Sequence, residues 1–531
     1  MDPPQTTADY FKFCPGEEHI KISNAICRGR RKTNFPKCTS CQFNDDLQNT
    51  GTISAMPSLR NTAHVEAVFQ PEQICATTPT PLSTDVAWRI GHAAGQYLHG
   101  KLRGYERAHP GSKSVVVGRD LRSSGPTLVL ALADGVRSVG MDVIDLGVVD
   151  TPQLYYAVNH FNACGGIQAT GGLMSADHNG FKLCGAKATP ISDQTGLAGI
   201  RDIALRVPKH QTGVNARLRE ESVAAEYQSF IRSALVGAAV KRPLTIAIDA
   251  ANGVAARWAP ILFEGLGPIT LSQVNFEIME PFVHDPDPMI PANTAELRKR
   301  VKETGADLGV GYSGDASQCA FIDEKGAIVP CDLIGTLLAR SFLERTRGAP
   351  VILDVRSSIT LSDEIERAGG VAIRERVGYH HMRKRMNEAN AIFGIDWTGR
   401  YYFRDHFGCE SAFLAAMHVI NLISVSGRTL SELVQPLVRY RSSSEMSFHC
   451  TDPNSSLERL VQSHSDAQIE RLDGATIRYP DWRAHLRTQD GESALRIVVE
   501  AKTKKLMDQH MSAFESKLAY GLSRPTCAES I

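Results

Sequence analysis

Ser114-Val115-Val116-Val117-Gly118-Arg119-Asp120-Leu121-Arg122-Ser123-Ser124 is the stretch from which the fold can be read. A short β-branched run ends in a polar turn, and residues 126–139 follow with apolar positions at helical spacing. Strand, loop and helix in that order make one α/β step, and residues 141–146 begin the next strand. The cycle restarts at Leu244-Thr245-Ile246-Ala247-Ile248-Asp249 and again at Pro350-Val351-Ile352-Leu353-Asp354. Three such blocks predict three sheets covered by helices. The last block differs: strands at 475–479 and 494–500 flank helices at 455–463 and 502–518, which predicts a smaller α+β domain.

At 531 residues and 42% hydrophobic content the chain can bury several cores. Lys+Arg and Asp+Glu both number 58, so the formal charge is zero and gives no reason to expect nucleic acid or an anionic membrane as partner. The basic run Arg28-Gly29-Arg30-Arg31-Lys32 is short enough to read as a solvated face. The first residues lack the basic and apolar regions of a secretory signal, and no stretch approaches the ~20 apolar residues that span a bilayer. Cys75, Cys164, Cys184, Cys319, Cys331, Cys409, Cys450 and Cys527 are scattered, which fits a reducing compartment better than a disulfide framework. A soluble cytoplasmic protein is expected.

The remaining cysteines, Cys14, Cys27, Cys38 and Cys41, lie together with spacing C-x12-C-x10-C-x2-C. A segment this short cannot stabilise a core alone, and a tetrahedral zinc on four thiolates would supply the missing folding energy. Only one of the two pairs is close, so an iron–sulfur cluster or unligated cysteines stay open as alternatives. In either metal reading the site is closed, giving it a structural or partner-binding role. The expected organisation is a four-cysteine module at 1–45, a polar linker at 46–63, and four domains at 64–215, 216–330, 331–436 and 437–531.

Several of these stretches carry a resemblance. Gly118-Arg119-Asp120-Leu121-Arg122-Ser123-Ser124 resembles G-R-D-T-R-x-S-S, and Asn179-Gly180-Phe181-Lys182 resembles N-G-F/Y-K. Asp249-Ala250-Ala251-Asn252-Gly253, His284-Asp285-Pro286-Asp287-Pro288, Thr304-Gly305-Ala306-Asp307-Leu308-Gly309, Tyr401-Tyr402-Phe403-Arg404-Asp405 and Leu495-Arg496-Ile497-Val498-Val499-Glu500-Ala501 continue the series in order. Together they are similar to the α-D-phosphohexomutases, the phosphomannomutase/phosphoglucomutase family, over about 65–520. The resemblance implies four domains whose loops surround a sugar phosphate. It also implies phosphoryl transfer through a phosphoserine beside Mg²⁺, a reaction that rests on positioning and charge neutralisation.

The loops depart from that pattern. Where the family resembles T-A-S-H-N-P, this chain has Thr170-Gly171-Gly172-Leu173-Met174-Ser175, so Gly172 stands at the phosphoserine position without a nucleophile. Ser175 is three residues away, too far to substitute without moving the hydroxyl out of reach. The metal loop, D-G-D-x-D-R in the family, reads Ser313-Gly314-Asp315-Ala316-Ser317-Gln318, leaving Asp315 as sole carboxylate and little reason to expect specific Mg²⁺ binding. The sugar loop, G-G-E-M-S-G-H in the family, reads Gly394-Ile395-Asp396-Trp397-Thr398-Gly399-Arg400 and is altered rather than emptied. Arg356 replaces a family lysine and Tyr379 a histidine. In the last domain Arg487 is kept, able to grip a phosphate bidentately, while Asp490 adds a repelling charge. Glu72-Gln73-Ile74-Cys75-Ala76 has lost the arginine of Y-D-I-R-G.

Of the catalytic acid/base candidates, Lys182 is retained, as a relic, a solvated lysine or a working group. The expected function is a phosphohexomutase body without mutase activity, kept for binding or regulation, with Arg356, Asp396, Thr398, Arg400 and Arg487 as residues for a sugar or sugar-phosphate ligand. The alternatives are an active isomerase with altered chemistry at Lys182, Asp396, Thr398 and Arg400, and a cysteine module that binds a protein partner with the body as scaffold. The zinc expectation is directly testable: metal analysis should give one zinc per chain, lost in a Cys38→Ser/Cys41→Ser variant, and unchanged stoichiometry in that variant would refute it.

Overall fold

The computed structural model describes residues 11–13, 21–23, 57–70, 73–102, 113–207, 216–235, 240, 242–489 and 492–519. Cys14, Cys27, Cys38, Cys41 and Asp490 lie outside the described residues. The chain divides into two compact units, 1–63 and 64–531. In the first, β1 (Phe11–Phe13) and β2 (Lys21–Ser23) form an antiparallel pair. Helix α1 (Pro57–Val68) begins inside the stretch that reads as linker. Its start at Pro57 has the pre-set φ that opens a helix, and Val65 and Val68 are buried near its end, a signal too short to register as a period.

Among the described residues the second unit contains four sheets. In the first, β3 (Ile74–Thr77), β4 (Ser114–Arg119), β5 (Asp142–Val148), β6 (Gly165–Ala169), β7 (His178–Gly185) and β8 (Leu218–Glu220) lie in the order β3-β7-β6-β4-β5-β8. β4 is parallel to β5 and β6, whereas β7 runs antiparallel to both β6 and β3. Helices α2 (Thr84–Lys101), α3 (Gly125–Arg137) and α4 (Thr151–His160) pack around it. Val115, Val116 and Val117 are wholly buried, as a strand covered on both faces requires.

The second and third sheets share one topology. β9 (Leu244–Asp249) is parallel to β10 (Ile269–Val274) and β11 (Leu308–Tyr312), and β11 turns back through β12 (Cys319–Ile322) and β13 (Ile328–Val329). β14 (Pro350–Asp354) stands in the same relation to β15 (Val371–Glu375), β16 (Phe393–Ile395), β17 (Tyr401–Phe403) and β18 (Cys409–Glu410). The fourth sheet is antiparallel, built from β19 (Arg441–Ser442), β20 (Met446–His449), β21 (Gln468–Glu470), β22 (Ala475–Arg478), β23 (Trp482–Thr488) and β24 (Ala494–Ala501). The fold class is therefore the one the periodicity predicts: three α/β sheets and a smaller α+β one. Among the described residues no single helix is long and apolar enough to cross a membrane.

In each α/β sheet the strand that lies between two parallel neighbours leads into a buried aspartate that folds the next turn. Asp120, Asp249 and Asp354 accept the backbone N–H two residues on, from Arg122 (3.0 Å), Ala251 (2.9 Å) and Arg356 (2.8 Å). The loops between each parallel strand and its antiparallel partner, at 170–177, 313–318 and 396–400, hold the candidate site residues.

Helices α2 and α3 meet backbone to backbone. A Cβ on Gly91 would lie 2.0 Å from the Leu132 carbonyl oxygen, and one on Gly135 would lie 2.1 Å from that of Trp88. A methyl there has no flexible neighbour to displace. Gly91→Ala should therefore force the helices apart and cost about 3 kcal/mol, at the upper end for overpacking, read as a lowered first transition in thermal denaturation.

Candidate functional site

Arg122 organises the loop after β6. Its guanidinium is buried beside Asp120 (3.1 Å) and donates to the carbonyls of Gly172 (3.4 Å), Met174 (2.6 Å), Ser175 and His178 (2.8 Å). Asp120 also accepts the Thr170 hydroxyl (2.7 Å), which in turn accepts the Gly172 N–H (2.9 Å). Gly172 takes φ +57°, and a Cβ there would come within 4 Å only of Lys182 Nζ, at 3.9 Å. The void at Gly172 thus opens on the Lys182 ammonium. Gly171 is held without a side chain by the guanidinium, 2.5 Å from where its Cβ would stand.

Ser175 does not form a relay. Its hydroxyl donates to Asp177 (2.6 Å) and lies 3.1 Å from His178 Nδ1, and Asp177 approaches that same nitrogen at 2.9 Å. Serine and aspartate compete for one ring atom, so the imidazole cannot pass a proton between them.

Asp315 is buried with both carboxylate oxygens engaged. Oδ1 accepts from the hydroxyls of Ser313 (3.0 Å) and Ser317 (2.7 Å) and from Ser317 N–H (3.2 Å). Oδ2 accepts from Lys182 Nζ at 2.6 Å and from the Thr151 hydroxyl at 2.7 Å. Burial works to raise its pKa, but the Lys182 charge and the hydrogen bonds from Lys182, Thr151 and Ser317 outweigh it and hold the carboxyl well below the usual range. Magnesium wants several carboxylate or phosphate oxygens in octahedral array. One carboxylate with both oxygens engaged by five donors does not fit it.

The loop after β16 is also closed on itself. Asp396 Oδ1 accepts from Thr398 N–H (2.9 Å), the Thr398 hydroxyl (2.7 Å) and Arg400 N–H (3.1 Å), while Oδ2 accepts from Tyr402 (2.8 Å). Arg400 donates to the Thr398 hydroxyl at 2.8 Å. Gln318 ties this loop to the preceding one by donating to the Thr398 carbonyl (2.8 Å). Half-buried Trp397 carries the Arg356 guanidinium over its ring, 5.2 Å from the centroid.

Arg356 pairs with its own Asp354 (2.6 Å) and reaches Glu445 at 3.4 Å. Arg487 grips the same Glu445 at 3.0 and 3.3 Å, and Arg496 stands 3.7 Å from it. Burial would raise the Glu445 pKa, but the charges of Arg356, Arg487 and Arg496 lower it. Arg483 adds a second tie between the third and fourth sheets, donating to the carbonyls of Val355, Arg356 and Ser357.

The predicted residues are thus brought together: Lys182 on Asp315, with Gly172 facing Lys182; Asp396, Thr398 and Arg400 in one turn; Arg356 and Arg487 on one carboxylate. Two residues that organise this site escaped the sequence reading. Arg122 is announced by the repeat Asp120-Leu121-Arg122-Ser123-Ser124 and Asp354-Val355-Arg356-Ser357-Ser358, the same pattern at the end of two equivalent strands. Glu445 has no comparable signal.

Comparison with known proteins agrees with this architecture. Residues 70–210, 225–326 and 330–440 match the family models described as "Phosphoglucomutase/phosphomannomutase, alpha/beta/alpha" domains I, II and III. The chain is 31% identical over 431 residues to a phosphomannomutase of Escherichia coli K12, covering 79% of this chain and 92% of that one. A crystal structure of a phosphoglucomutase/phosphomannomutase family protein from Burkholderia thailandensis superposes with TM-score 0.78 at 26% identity, over 87% of this chain and 99% of that one. An Aspergillus fumigatus N-acetylphosphoglucosamine mutase, solved with GlcNAc-6P and magnesium, shares the fold at 14% identity and TM-score 0.55, over 88% and 100% of the two chains. The fold is that of a phosphohexomutase-type protein. The chain belongs to the phosphoglucomutase/phosphomannomutase family.

Asp150, which caps α4 beside this site, is buried, accepts from Gln153 N–H (2.7 Å) and Tyr227 (3.0 Å), and has Oδ2 without a partner. Burial pushes its carboxyl up to about 7 against those hydrogen bonds. Between about pH 4 and 7 the folded chain keeps a proton that the unfolded chain releases, so stability falls as pH rises through that window. Asp150→Asn, which mimics the protonated form, should gain up to about 4 kcal/mol over the native chain at pH 8 and lose the advantage by about pH 4, measured by denaturation at the two pH values.

Proposed function

We propose that this chain is a phosphohexomutase-family protein that does not carry out phosphomutase turnover and serves in binding or regulation, with a sugar or sugar phosphate as its ligand. The observation that carries the reading is Gly172. The loop is held by Arg122 in a defined conformation, and at the nucleophile's position it presents an open space facing Lys182 and no hydroxyl. Without an atom to accept the phosphoryl group, no phosphoenzyme can form there. The engaged state of Asp315 supports the same conclusion, since Mg²⁺ has no free carboxylate to bind.

Sugar-phosphate binding is supported by the ligands of relatives: the fungal mutase is seen with GlcNAc-6P, and a variant of it with glucose 1,6-bisphosphate. In this chain Trp397, Arg356, Arg400 and Arg487 are the groups for such a ligand, a phosphate competing with Glu445 for Arg487. The four N-terminal cysteines are proposed to hold a structural zinc and to offer a surface to a protein partner. The compartment proposed is the cytoplasm.

A phosphomutase assay with glucose 1-phosphate and mannose 1-phosphate, plus a bisphosphate activator, tests the reading. Losing a nucleophile costs on the order of 10⁴–10⁶ in rate in other enzymes, so turnover within about a hundredfold of the Escherichia coli relative would refute it. A thermal-shift series over the same sugar phosphates should raise the melting temperature, because a ligand stabilises the state it binds.

A further inference from the structure

Asp315 and Lys182 lie 133 residues apart, on the loop after β11 and on β7, and their contact joins the first and second sheets at 2.6 Å. Lys182 is only 12% exposed and Asp315 1%. Ser317 offers a second partner to the same ammonium at 3.5 Å. We propose that Lys182 is the resident cation of this site, its ammonium standing where the family's loop would require a divalent metal.

The substitutions around it form one consistent set. A carboxylate has about four lone-pair positions, and five donors reach Asp315. Aspartates at 313 and 317 would add two negative charges beside it and would need a dication to hold them together. Serines at those positions instead donate hydrogen bonds to the one carboxylate left. A single negative charge is then balanced by a single ammonium, whereas Arg122 nearby is already matched by Asp120. A dication entering this loop would have to displace a short, charge-assisted hydrogen bond and would meet the lysine as a like charge. The loop is thus built for one fixed positive charge, supplied by the chain itself and independent of metal supply.

This inference rests on the reading of the site as one without bound magnesium, and its test is separate from turnover. Mn²⁺ titrated into the full-length protein and followed by electron paramagnetic resonance should give no bound ion at Asp315. Stoichiometric Mn²⁺ that disappears in Asp315→Asn overturns the proposal, whereas bound Mn²⁺ that survives in Asp315→Asn lies elsewhere and leaves Asp315 metal-free as expected. In thermal scans Lys182→Met should lower the melting temperature by at least about 3 °C, because it strands a buried charge, and Lys182→Met/Asp315→Asn should recover half the loss or more. A Lys182→Met protein as stable as the native one, or no recovery in the double variant, overturns it. If Lys182→Met does not fold, the Mn²⁺ titration of the native chain and the folding of the double variant decide. Turnover without Mn²⁺ at Asp315 would sink the functional reading and leave this one standing; Mn²⁺ at Asp315 without turnover would do the reverse.

Discussion

A carboxylate buried at the end of a parallel strand must replace the water it has lost with hydrogen bonds from the chain. That constraint recurs through the molecule. Asp120, Asp249 and Asp354 each satisfy it first with the backbone N–H two residues on, and so each fixes the turn that leaves its sheet. Where an arginine follows, the carboxylate holds the guanidinium as well, and the arginine acts at a distance. Arg122 fastens the loop after β6 through its carbonyls, and Arg356 reaches Glu445 and Trp397. The loops that could contact a ligand are therefore shaped from behind, by residues that are themselves buried.

The same rule explains how the loops relate to one another. Lys182 to Asp315 joins the first and second sheets, Gln318 to the Thr398 carbonyl joins the second and third, and Glu445 among Arg356 and Arg487 joins the third and fourth. Each junction pairs a group that a sugar phosphate or metal could have used with a group from the neighbouring loop. Mutual satisfaction lowers the charge left over for a ligand. It also makes these loops a stable structure in their own right.

Much of this was legible in the sequence. The apolar runs at 244–249 and 350–354 become strands with those bounds, because covered parallel strands must be continuously apolar. The absence of a nucleophile at Gly172 and of carboxylates at Ser313 and Ser317 can be read directly. The engagement of the residues that remain could not be. Asp396 and Thr398 read as ligand-facing polar groups, yet in the turn they bond each other and Arg400, a result that depends on φ and ψ rather than on residue type. Lys182 with Asp315, and Arg487 with Glu445, are long-range pairs that no spacing announces. The start of α1 inside an apparently polar linker was hidden for a different reason, since among its described side chains two valines, both near its end, are buried.

Trp397 has one further consequence. The chain contains four tryptophans, and Trp88, Trp258 and Trp482 are buried at 5, 5 and 7% exposure, whereas Trp397 is half-buried on the sugar-type loop beneath a guanidinium. An indole in that position senses both the polarity of its partly solvated surroundings and the charge stacked on it. The protein therefore carries its own optical reporter at the place where its function is to be sought, with three shielded tryptophans as a steady background.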